Sequence, residues 1–105
     1  MIMNSDRIKM LEKFVAEDPD DPFNRYALGL ELAKGDRQKA KEIFDQLINV
    51  HPQYVASYYQ AALLYIALSL NEGATKIIEK GIAQAKEQGN LKAVNELNSL
   101  LDDLN

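Results

Sequence analysis

Apolar side chains recur three and four positions apart along nearly the whole chain, the spacing that gathers them on one face of an α-helix. Ile8, Leu11, Phe14 and Val15 form the first stripe. Asn4 or Ser5 can cap it, and Pro19 ends it near Asp18, since proline lacks a donor and biases its predecessor away from helix. The DPDDP stretch at 18–22 is a turn that closes on a start signal. Asp21 offers an N-cap oxygen, and Pro22 supplies a ring already set to helical φ. The second helix is expected from about Pro22 to Lys34, with Gly35 as its stop. Asp36 caps a third, with Ala40, Ile43, Phe44, Leu47 and Ile48 inward and Lys39, Lys41, Glu42 and Asp45 around the other face; Pro52 ends it.

The next stretch, Tyr54 to Leu70, carries no charged residue at all, and beyond its tyrosine hydroxyls its polar side chains are Ser57, Gln60 and Ser69. A helix that is apolar all round is buried. This one falls short of the roughly 18–20 apolar residues that cross a bilayer, so other helices must cover it, and any strip they leave open is where a partner would dock. Asn71 is expected to cap a fifth helix, with Glu72 in its first turn and Ala74, Ile77, Ile78, Ile82 and Ala85 inward. Gly89 is a natural left-handed stop. Asn90 starts a sixth helix with Val94, Leu97, Leu101 and Leu104 as its seam. Six helices, short links and no strand make an all-α chain.

Composition narrows this picture. A chain of 105 residues suits one domain, and its 47% apolar and 27% charged residues are ordinary for a globular protein. With no cysteine there is neither a disulfide nor a thiolate metal site, which is compatible with a reducing compartment. MIMNSDRIKM has no apolar core ahead of its charges, so no secretory signal is expected and the cytoplasm is the default location. The net charge is −4, whereas a nucleic-acid surface would show a basic patch. The one basic cluster, Lys34, Arg37, Lys39 and Lys41, is broken by Asp36 and followed by Glu42, and reads as a solvated helix face.

Self-comparison reveals a period, which turns a bundle into a stacked array. Leu11, Phe14, Val15 and Pro19 return 33 residues later as Phe44, Leu47, Ile48 and Pro52, and Ala40, Phe44 and Ile48 return 34 later as Ala74, Ile78 and Ile82. Leu28, Gly29 and Leu32 correspond to Ala61, Ala62 and Tyr65. This pattern resembles the tetratricopeptide repeat (TPR) family, with W-x2-L-G-x2-Y, then A-x3-F, then P. Arg25-x2-Leu28-Gly29-x2-Leu32, Ala40-x3-Phe44 and Pro52 carry it in one unit; Tyr58-x2-Ala61-Ala62-x2-Tyr65 and Ala74-x3-Ile78 carry it in the next. Arg25 replaces a large aromatic and Lys86 a proline. The resemblance implies a short right-handed α-solenoid of antiparallel hairpins: a half-repeat over 1–21, repeats over 22–54 and 55–88, and a capping helix over 89–105. Helices approach to 8–10 Å only where crossing residues are small. Gly29, Ala40, Ala62 and Ala74 are placed there, with Leu28, Phe44, Tyr58, Tyr65 and Ile78 filling the space beside them.

The resemblance also implies a concave groove, lined by the first helix of each pair, that holds a peptide or helix of a partner. Carried over by repeat position, its residues are Phe23, Tyr26, Ala27, Leu30, Ala56, Tyr59, Gln60, Leu63, Ile66 and Ala67. Tyrosine offers large contact area with few rotamers to freeze. The stripe Tyr59, Leu63 and Ile66 could equally be core under the sixth helix, or a second copy of the chain could close the groove and make the domain an assembly element. Family members that grip C-terminal carboxylates use Lys, Asn and Arg, whereas Tyr26, Leu30, Gln60, Asn90 and Val94 occupy the corresponding positions. A carboxylate there lacks a charge-assisted partner.

Catalytic signals are thin. His51, the single histidine, lies in a link before Pro52 and reads as a turn residue rather than a general base. Asp18, Asp20 and Asp21 are interrupted by prolines and lack calcium-loop spacing, and there is no glycine-rich phosphate loop. The expectation is a protein-binding module, not an enzyme, with no cofactor or metal and with neither nucleic acid nor membrane as partner.

Overall fold

The computed structural model describes residues 2–105. Met1, which opens the expected half-repeat, lies outside the described residues. Six helices follow one another: α1 (Ser5–Glu17), α2 (Pro22–Leu32), α3 (Arg37–Val50), α4 (Ala56–Ala67), α5 (Asn71–Glu87) and α6 (Leu91–Leu104), with no strand among the described residues. Each packs against the next, and α6 also reaches α4, so the hairpins stack into a slab of 38 × 28 × 19 Å.

Four starts follow from short polar side chains that satisfy orphan amides of the first turn. Asn4 accepts from Arg7 N at 3.0 Å, Asp21 from Phe23 N at 3.0 Å, Asp36 from Lys39 N at 3.1 Å and Asn90 from Ala93 N at 3.1 Å. The fifth start differs from expectation. Asn71 is the first residue of α5 rather than its cap; Leu70 takes the cap position without a side-chain bond. The reason lies in how α4 ends. Ser69 has φ +62°, Ser69 N donates to Ile66 O and Leu70 N to Tyr65 O, the paired bonds of a Schellman stop. That reversal uses Leu70 and leaves no residue between stop and start. Gly89, φ +68°, ends α5 by the same pair of bonds, to Lys86 O and Ala85 O.

Other boundaries also shift. The second helix stops at Leu32, not Lys34, and Gly35 is not left-handed; its missing side chain instead admits Met3, whose Cγ would lie 2.7 Å from a Cβ there. Tyr54 and Val55 belong to the turn before α4. With Lys86 in place of a proline, α5 runs to Glu87. On α1, Leu11 is buried but Phe14 stays 42% exposed. On α6, Leu100 is buried as well as Val94 and Leu97, while Leu101 and Leu104 are only partly covered.

The crossings hold as expected. Ala40, Ala62 and Ala74 are fully buried, as are Phe44, Tyr58 and Ile78. A Cβ on Gly29 would stand 2.6 Å from Phe44 Cε2, so the two helices meet where only glycine leaves room for the ring. Gly81, which the repeat pattern did not single out, plays the same part: a Cβ there would be 2.6 Å from Tyr58 Cβ and 3.0 Å from Leu97 Cδ1.

Candidate functional site

The uncharged helix α4 is covered along one side only. Ser57, Tyr58, Ala61, Ala62 and Leu64 are buried, while Ala56 and Ala67 are exposed, Leu63 is 39% exposed, and Tyr59, Gln60 and Ile66 are partly covered. The sixth helix does not lie across this strip. It seats against α5, with α4 touched at its edge, because Leu97 and Val94 turn into the interior.

One hollow borders the strip and a second lies against α2, and Tyr26 lines both. The first, about 240 Å3, lies between α4 and α6 and brings together Tyr26, Ala56, Tyr59 and Gln60, with Asn90 and Glu96 on the far wall. The second, about 690 Å3, opens on the other side of Tyr26 beside Phe23, Ala27 and Leu30. Tyr26 is a fixed partition: its ring packs edge-on against Phe44 (5.9 Å between centroids) and Tyr54 (5.6 Å). The ten residues expected to form one groove therefore fall into two groups. Seven line the hollows, of which Ala27 is buried and contributes only floor. Leu63, Ile66 and Ala67 line neither. Leu30, 36% exposed, and Leu63 occupy the same repeat position on successive helices.

The second hollow has a charged wall that the sequence did not announce, because its members come from α1, α2 and the link after it. Glu31 is 4% exposed. It accepts from Asn4 N at 3.2 Å, pairs with Arg7 Nε at 3.2 Å, and receives Lys34 Nζ at 3.2 Å. Burial pushes its carboxyl upward, but the Asn4 amide, the Lys34 ammonium and Arg7 outweigh burial and hold it below its ordinary value.

Three of the four cations of the basic cluster at 34–41 are drawn into pairs. Lys34 faces Glu31, Lys39 lies 3.9 Å from Glu12, and Lys41 bonds Asp45 at 2.8 Å. Asp45 also accepts from Tyr65 Oη at 2.6 Å, and Lys41 Nζ sits 4.7 Å from the Tyr65 ring centroid. His51 is the C-cap of α3 and is nearly buried. Its Nε2 has no hydrogen-bond partner. Among the described residues no group of three or more His, Cys, Asp or Glu could hold a metal ion, and no helix is long and apolar enough to cross a membrane.

Stacked antiparallel hairpins with glycine or alanine at each crossing define a helical-repeat protein, a class whose groove surfaces serve protein–protein contact. No protein-family model and no curated protein matches the chain. Solved structures do. A tetratricopeptide repeat domain protein from Salinibacter ruber, determined in solution, is 36% identical with a TM-score of 0.78 over 83% of this chain and 89% of its own. A crystal structure of a tetratricopeptide repeat domain protein from the same organism gives 34% identity and 0.76 over 80% and 96%. The TPR2B domain of yeast Sti1, in a structure of its complex with pHsp70, is 19% identical with a TM-score of 0.85 over 92% and 78%, a likeness of fold. The chain belongs to the tetratricopeptide repeat family.

Proposed function

We propose that this domain is a non-catalytic module that holds a peptide or helix of a partner protein along the faces of α2 and α4. The observation that carries this reading is the half-covered state of α4: a helix without a single charge leaves Ala56 and Leu63 exposed and Tyr59 and Gln60 only partly covered, with Ala56, Tyr59 and Gln60 lining a hollow. Phe23 and Tyr26 extend that surface onto α2. Tyr59 and Gln60 supply one large ring and one amide, enough to fix the direction of a bound segment. The yeast domain, a fold neighbour seen in complex with pHsp70, supports a protein ligand for this chain. The net charge of −4 and the pairing of Lys34, Lys39 and Lys41 with carboxylates weigh against nucleic acid. The cysteine-free sequence suits a cytoplasmic setting.

The test is affinity capture with the wild type against a Phe23→Ala, Tyr59→Ala, Gln60→Ala variant. Tyr26 is left intact because its ring supports Phe44 and Tyr54. Partners held by the wild type and lost by a folded variant are the expected result; partners retained equally by both remove the groove from the account.

The matched exposure of Leu30 and Leu63 favours one second reading, in which two copies close their grooves against each other. Light scattering across a dilution series separates the two. A dimer abolished by Leu63→Asp with the fold intact supports assembly, and a monomer at high concentration leaves the groove open.

A further inference from the structure

We propose that the hollow between the start of α1 and the Phe23–Leu30 face of α2 is a docking site for an internal acidic–apolar segment of a partner protein: an aspartate or glutamate side chain flanked by large apolar ones. This rests on the groove reading only in treating Phe23 and Leu30 as contact surface. It goes beyond that reading in assigning a ligand chemistry and two cations.

Arg7 and Lys34 both pair with Glu31, and a single buried carboxylate neutralises only one of them. The oxygens of Glu31 are engaged: Oε1 meets Arg7 and Lys34, and Oε2 meets the Asn4 amide and Lys34. Arg7 reaches it through Nε, and its two terminal amino groups make no hydrogen bond among the described residues. A guanidinium presents donors in a fixed fork suited to a carboxylate. One surplus positive charge therefore lines a hollow whose other walls are Phe23, 59% exposed, Leu30 and Ile2.

Repeat position explains why this surface takes a peptide rather than another repeat helix. Residue 7 stands 33 positions before Ala40, the fully buried alanine at the α2–α3 crossing. At that place an arginine holds an incoming helix away from α1, whereas a flexible segment can lay an acid on the guanidinium and its apolar side chains on Phe23 and Leu30. A polyanion is a poor fit, because the surplus is one charge on a chain of net charge −4.

Random twelve-residue peptides displayed on phage by their C-terminal ends, so that no free carboxyl-terminus is offered, are selected on the full chain and on three variants. Lys34→Gln removes the surplus while leaving Glu31 paired with Arg7 and the Asn4 amide. Glu31→Gln enlarges the surplus. Tyr59→Ala with Gln60→Ala probes the other hollow. Circular dichroism verifies each fold. The expected result is enrichment of Asp or Glu beside large apolar residues on wild type, loss of that enrichment on Lys34→Gln, and its increase on Glu31→Gln. Changing the acid of the best peptide to its amide should weaken binding at least tenfold on wild type and less than threefold on Lys34→Gln.

No enriched peptide, no acidic preference, or an equal amide penalty on both proteins overturns the proposal. Peptides lost on the Tyr59, Gln60 variant but indifferent to Lys34 overturn it and leave the groove reading standing; peptides indifferent to both remove both. A dimer in sedimentation that Phe23→Ser dissolves means a second copy fills the hollow, which also overturns it.

Discussion

Arg25 and Tyr58, one repeat apart, make the same hydrogen bond with different chemistry. Tyr58 Oη donates to Pro52 O at 2.5 Å, and Arg25 Nη1 donates to Pro19 O at 2.5 Å. The turns they clasp also coincide: Asp18 and His51 cap their helices with bonds to Phe14 O and Leu47 O, and Asp21 N and Tyr54 N donate to Asp18 O and His51 O. An arginine at an aromatic position is thus a substitute donor, though one that leaves its buried Nε without a partner.

A tyrosine at position 25 can make the bond without that orphan. Arg25→Tyr is expected to preserve or raise stability by up to about 1 kcal/mol, whereas Tyr58→Phe, which strands the Pro52 carbonyl, costs about 1–2 kcal/mol. Urea unfolding of both variants checks this. Tyr58→Phe melting as wild type would show that the clasp contributes nothing.

Ser69 and Gly89 stop their helices with the same pair of bonds, but only one is a glycine. A side chain in the left-handed region is strained, while glycine loses more entropy on folding. Ser69→Gly should therefore stabilise by about 0.5–1 kcal/mol, and Gly89→Ala should destabilise by about 1 kcal/mol even though its Cβ would meet open space. Opposite shifts in melting temperature are expected; shifts of the same sign would contradict the assignment of both stops.

At the α2–α3 crossing, Gly29→Ala gains about 1 kcal/mol of helix propensity but drives a methyl into the immobile Phe44 ring. Overpacking of this kind costs about 1–3 kcal/mol, so the net change should be a loss. Ala74→Leu, at a fully buried position, should lose about 1–3 kcal/mol for the same reason. Thermal melts decide both, and a wild-type melting temperature for Ala74→Leu would mean the residue is not at a crossing.

Stability should fall at both ends of the pH scale. The Asp45 hydrogen bond raises the Lys41 ammonium above 10.5, and burial raises the Tyr54, Tyr58 and Tyr65 phenols above 10.0. A folded value above the unfolded one gives stability that is complete below the unfolded value and lost as pH rises through the folded one. Glu31 is shifted the other way, below 4.5, so its contribution is present above 4.5 and lost as pH falls through its folded value. Urea midpoints should be flat between about pH 6 and 9 and decline on either side. Glu31→Gln should flatten the acid limb; a midpoint that climbs above pH 10 would contradict the alkaline assignment.

Much of this architecture was legible because local signals and the repeat agreed. Asn4, Asp21, Asp36 and Asn90 cap as their neighbours implied, and the crossing alanines and Gly29 lie where the period placed them. What escaped was whatever depends on where the chain turns in space. Ser69 carries no left-handed signature, so the stop of α4 and the missing Asn71 cap could not be read. Gly81 lacked a counterpart in the period, yet a glycine inside an otherwise regular apolar stripe was its signal. The division of one expected groove at Tyr26 follows from ring packing among α2, α3 and the turn before α4, and the Arg7–Glu31–Lys34 wall joins residues 24 and 27 positions apart. No spacing rule links Arg7 to the Glu31–Lys34 pair.

On the proposed function, partners meet this domain on the faces of α2 and α4. A photo-crosslinking side chain, p-benzoylphenylalanine, installed in turn at Phe23, Tyr59 and, as a control on α5, Glu79, tests it most directly. All three positions are at least partly accessible. Crosslinks to the same partner from positions 23 and 59, with none from 79, are the expected result. Crosslinks from 79 alone would place the contact on the opposite helices and contradict the account.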